Sequence, residues 1–146
     1  MLTYFTTAAA AVALAATPVM AQTVTGGTAG GVQGRDVSAS TCGSGSTDGT
    51  RIGVAGCADA AALDGGAADT STRANVNDRR AMQRSVATAR DEDERARSMT
   101  RTTVRDGEVV RSRTMSMYKE KGERPVREVE SIRATPEGTT TRGKKK

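Results

Sequence analysis

Beyond residue 21 this 146-residue chain holds one aromatic side chain, Tyr118, and 14 large aliphatic ones: Leu63, Ile52, Ile132 and eleven valines. Those aliphatics make up about 11% of the 125 residues, below the roughly 20% under which a charged chain tends to disorder. A domain of this length normally buries about two-thirds of its unfolded surface. Ordering its backbone costs about 1–2 kcal/mol per residue, and so few apolar groups offer little to offset that. Met82, Met99, Met115 and Met117 add some adaptable apolar volume. The composition predicts a largely disordered mature chain with only local order and no large core.

The boundary at residue 21 comes from the N-terminal segment. Ala8 to Ala16 is an uninterrupted apolar run, followed by Pro18 and the small-residue site Val19-Met20-Ala21. This is the layout of a secretory signal peptide, residues 1–21, with cleavage between Ala21 and Gln22. The run is too short for a membrane-spanning helix, which needs about 20 apolar residues. Its n-region carries no Lys or Arg, unlike the usual basic n-region. No transmembrane segment is expected once the signal is removed, and the reading places the protein in the periplasm or outside the cell. In such an oxidising compartment Cys42 and Cys57, the two cysteines of the chain, are expected to form a disulfide.

Composition changes again near residue 76. Residues 22–76 are rich in Gly, Ser, Thr and Ala and carry a net charge of −2, whereas residues 77–146 carry +7. The first part reads as a flexible segment containing the disulfide loop, with a short helical turn at Ala58 to Leu63. In residues 77–135 two elements are expected. Asn77 or Asp78 can cap an amphipathic helix over about 78–98, with Met82, Val86 and Ala89 on one face. Arg90–Glu94, Asp91–Arg95 and Asp93–Arg97 have the i, i+4 spacing that supports such a helix.

Past Met99, Asp106-Gly107 between β-prone runs signals a hairpin with Val104 opposite Val109 and Arg105 opposite Glu108. Lys121-Gly122-Glu123 gives a second turn. The result is a small antiparallel hairpin or three-stranded meander over about 99–133. Residues 136–146 read as a disordered basic tail.

Catalytic chemistry is hard to build from these residues. The chain has no histidine, which excludes Ser-His-Asp and Cys-His nucleophile systems. The acidic run Asp91 to Glu94 has no desolvated pocket in prospect to separate its pKa values, and it lacks the spaced ligands and glycine of an EF-hand loop. Gly43-Ser44-Gly45-Ser46-Thr47-Asp48-Gly49 misses the dinucleotide-binding pattern by one position. No catalytic, cofactor-binding or metal residue is assigned, and no enzyme is expected.

The basic excess instead favours an anionic partner. Candidate contacts are Arg111, Arg113, Lys119, Lys121, Lys144, Lys145 and Lys146. With Tyr118, beside Lys119 and Lys121, as the single aromatic for base stacking, specific nucleic-acid binding is not expected. The resulting expectation is a small exported protein whose basic helix–hairpin region contacts an anionic envelope surface or another envelope protein. The alternative is a secreted inhibitor or regulator presenting the Cys42–Cys57 loop.

Overall fold

A computed structural model describes residues 23–48, 50–63, 65–105 and 109–146. The expected signal peptide and its cleavage site at Ala21 and Gln22 lie outside them. The described chain is all β, with nine strands in sequence order. Strands β1 (Val24–Gln33), β2 (Val37–Thr47) and β3 (Ile52–Ala62) form an antiparallel three-stranded sheet. Strands β4 (Ala67–Asn77), β5 (Arg80–Arg90), β6 (Glu94–Arg105), β7 (Val109–Glu120), β8 (Val126–Thr135) and β9 (Gly138–Lys145) form a six-stranded antiparallel meander. The small sheet packs on the large one, with β3 over β5, β2 over β6 and β1 over β7.

This overturns the expectation of a disordered chain without a large core. Residues 22–76, read as flexible, contain β1 to β4; residues 58–63, read as a helical turn, belong largely to β3. The helix expected over 78–98 is β5, a tight turn and the start of β6. The tail at 136–146 contains β9, hydrogen-bonded to β8.

The hairpin of β6 and β7 is in a different register from the one expected. Val104 pairs with Val110 and Arg105 with Val109, and residues 106–108, including Asp106-Gly107, lie outside the described residues.

The physical reason is the material of the core. Along β5, Ala81, Gln83, Ser85, Ala87 and Ala89 are buried; along β6, Glu94, Ala96, Ser98, Thr100, Thr102 and Val104. The period-two pattern of a half-buried strand is present, but it alternates small side chains with long ones rather than apolar with polar.

Two apolar clusters close the ends of the sandwich. One holds Val32, Val37, Ala39, Ala87, Ala89, Ala96 and Tyr118; the other holds Val24, Ala81, Val104, Val110 and Ala134. Between them lies a belt of buried hydroxyls. It runs Ser116–Ser98 (3.3 Å), Ser98–Thr41 (2.7 Å), Thr41–Thr100 (2.8 Å), Thr100–Thr114 (2.6 Å) and Thr114–Thr28 (2.8 Å). It continues through Thr28–Ser112 (2.7 Å) and Ser112–Thr102 (2.8 Å). Buried hydroxyls are tolerated when hydrogen-bonded, and each such bond is worth about 1 kcal/mol net.

Glycine lets the layers approach closely enough for this belt to form. A Cβ on Gly43 would lie 2.5 Å from Thr102 Oγ1 and 2.6 Å from Thr100 Cγ2.

The turns have a shared chemistry. Asp48 Oδ1 accepts from the Thr50 and Arg51 amides, Asn77 Oδ1 from those of Arg79 and Arg80, and Asp91 Oδ1 from those of Asp93 and Glu94. These are Asx turns, in which a short side chain replaces a main-chain acceptor. The bonds from Arg51 and Thr50 also hold the Asp48 carboxyl below its ordinary pKa.

Candidate functional site

Side chains alternate across a strand, so the buried residues of β5–β8 dictate where their neighbours point. The other face of the six-stranded sheet points to solvent. Its positions carry Arg73 on β4; Arg80, Arg84 and Arg90 on β5; Arg95, Arg97, Arg101 and Arg105 on β6; Arg111, Arg113 and Lys119 on β7; Arg127 and Arg133 on β8; and Arg142 and Lys144 on β9. Among the described residues, one carboxylate is set against these fifteen cations, Asp69 on β4. The other described acidic residues of this sheet sit in turns or on the inward-facing side, as Glu94, Glu120, Glu128 and Glu130 do.

Register turns this composition into geometry. Arg73 pairs with Arg84, Arg84 with Arg101, Arg101 with Arg113, Arg113 with Ser131 and Ser131 with Arg142. Five exposed arginines and a serine thus form one straight row across six strands. Neighbouring strands are about 4.8 Å apart, so the row is about 24 Å long. One step along, Ser71, Val86, Met99, Met115, Val129 and Lys144 form a mostly apolar row; on the other side Arg111 pairs with Arg133.

Like charges directly opposite each other on a sheet are destabilising, and none of the row arginines has a carboxylate across the ladder. Some guanidiniums instead rest on thioethers, with Arg84 Nη2 3.4 Å from Met99 Sδ and Arg101 Nη2 3.1 Å from Met82 Sδ. Over β6 to β9 the face forms an open groove of about 900 Å³, lined by Met99, Met115 and Val129 and by Arg101, Arg111, Arg113, Arg133 and Arg142.

The candidate contacts named from sequence divide. Arg111, Arg113, Lys119 and Lys144 lie on this face. Lys145 lies on the opposite side of β9, paired with Glu128. Lys121 is in the β7–β8 turn, 2.8 Å from Asp93, which raises its ammonium pKa. The Lys146 main chain bonds to that of Arg127.

Sequence reasoning missed Arg73, Arg84, Arg101, Arg133 and Arg142. The available signal was arginine at even spacing, as in Arg80 and Arg84 or Arg97, Arg101 and Arg105, between small residues.

The carboxylates of Asp36, Asp91 and Glu94 bring one oxygen each within 4.8 Å of the others, an arrangement able to hold a cation. The oxygens of Asp91 and Glu94 already have work in the fold, that of Asp91 in its Asx turn. Glu94 accepts from Tyr118 Oη at 2.6 Å and from the amides of Arg35 and Asp36, at 3.3 and 3.1 Å. Burial and the neighbouring Glu94 push the Tyr118 hydroxyl pKa well up. On the inner side of β8, burial and then Glu128 raise the Glu130 carboxyl above its ordinary value.

Cys42 and Cys57 face each other across β2 and β3, bonded as a disulfide with Cα atoms 5.0 Å apart. The residues between them are paired strands joined by the Asp48 turn. Such bonds persist in oxidising surroundings. Among the described residues no helix is long and apolar enough to cross a membrane. Strands β1 to β8, of 10–12 residues, are long enough to span a bilayer, but a lipid-facing strand surface is apolar and this face is cationic. No protein-family model, no curated protein and no solved structure matches this chain.

Proposed function

We propose that this is an exported, non-enzymatic protein of the cell envelope that docks on anionic material through the outer face of its six-stranded sheet. The observation that carries the reading is the run of arginines paired with arginines from β4 to β7. Such a row works against folding and gains nothing until anions neutralise it. Arginine also suits phosphate and carboxylate better than lysine does, because its planar fork binds them bidentately. The disulfide and the signal-like N-terminal segment support an extracytoplasmic location. The alternative, presentation of the segment between Cys42 and Cys57, has weaker support because that segment is built into a regular strand ladder.

The test is retention of the oxidised protein on anionic vesicles and on isolated envelope fragments across a salt titration. Wild type is expected to bind at low ionic strength and release as salt rises. The triple variant Arg84→Gln, Arg101→Gln, Arg113→Gln is expected to lose most retention on every support that holds wild type. Equal retention of the two proteins would refute the reading.

A further inference from the structure

Resting on that reading, we propose that the partner is a flexible linear polymer bearing phosphate on its repeat units, bound lengthwise along the arginine row. Five of the face's cations are aligned: Arg73, Arg84, Arg101 and Arg113 follow one another on β4 to β7, and beyond Ser131 on β8 the row ends at Arg142 on β9, over about 24 Å. On one side, along β5 to β8, the row is bordered by Val86, Met99, Met115 and Val129, so its arginines form a track with an apolar edge that separates them from the cations beyond. Part of that track lies in the groove over β6 to β9. A planar bilayer meets only the rims of a groove, whereas a single chain can lie along its floor. Successive guanidiniums can each fork onto a phosphate, and binding a chain along several of them releases condensed counterions, making affinity steeply salt-dependent.

Inorganic polyphosphate of graded chain length is the probe, compared with pyrophosphate and with vesicles of phosphatidylglycerol in phosphatidylcholine. Affinity is expected to climb steeply with chain length until the polymer spans the row, then only slowly. Long chains should bind at least tenfold tighter than vesicles at equal phosphate. Arg84→Gln, Arg101→Gln, Arg113→Gln should reduce the slope of log affinity against log salt by about 2, as expected for three lost phosphate contacts on a single-stranded polyanion. Lys145→Gln, on the other side of the sheet, should leave the slope unchanged.

Affinity independent of length, tighter binding to vesicles, or an unaltered slope in the triple variant would overturn the linear-polymer assignment. Vesicles bound at least as tightly as long polyphosphate, with the binding still requiring the three arginines, would overturn this inference alone. Binding to none of these probes at low salt would remove the anion-docking reading with it.

Discussion

The two faces of the six-stranded sheet are written by alternate residues of the same strands and follow opposite rules. Inward, β5 to β7 present Ala, Ser and Thr, closed against the glycine-rich small sheet and tied by hydroxyl bonds. Outward, the same strands present arginine opposite arginine. Thr100 and Arg101 show the contrast in adjacent positions. Thr100 is fully buried with bonds to Thr41 and Thr114, and Arg101 is exposed between Arg84 and Arg113. One face stabilises the fold, and the other works against it. Net charge alone hides this division, because acidic residues in turns and on inward-facing positions cancel much of the outward cationic charge.

Substitutions that separate the faces should fall in a clear order. Gly43→Val forces a side chain into Thr100, Thr102 and Gln83 and should destabilise by about 3 kcal/mol, the upper part of the usual overpacking range. Urea denaturation reads this directly, and an unchanged midpoint would mean the layers do not approach as closely as described. Thr100→Val keeps the shape but leaves Thr41 and Thr114 short of a partner, at about 2 kcal/mol.

Tyr118→Phe removes the phenol bond to Glu94, at about 1 kcal/mol, and changes the alkaline limb. Because the folded hydroxyl pKa is raised, the contribution is complete below the unfolded value near 10 and is lost as pH rises past it. Wild type should therefore lose stability above pH 10 more steeply than the Phe variant. At the small end, Arg101→Gln should move stability by no more than about 0.5 kcal/mol, and towards greater stability, since it relieves two like-charge pairs.

What could be read from sequence follows the same division. The pairing of Cys42 with Cys57 was legible from two cysteines behind a segment with the layout of an export signal. The basic excess of residues 77–146 was legible, but not which of its cations share a face. The strands were not, because hydropathy treats Ser98, Thr100, Ser112 and Thr114 as polar, although each is buried and bonded to another hydroxyl. Counting valines and leucines underestimated a core made of Ala, Thr, Ser and Gly.

The helix over 78–98 was suggested by Met82 and Val86, which lie on the outer face of β5, and by charge pairs that straddle the Asp91 turn. Side-chain size at period two, with Asp or Asn opening the turns at Asp48, Asn77 and Asp91, was the informative pattern. The arginine row could not be read before the register, because no two of its members are neighbours in sequence.

The most direct test of the division between the faces measures stability and polyphosphate affinity on one protein, the Arg84→Gln, Arg101→Gln, Arg113→Gln variant. If the inner face stabilises the fold and the outer face binds, its urea midpoint will equal or exceed that of wild type while affinity for long polyphosphate falls at least tenfold. A lower midpoint with affinity retained would show that the arginines serve the fold, and would contradict the assignment of the outer face to a ligand.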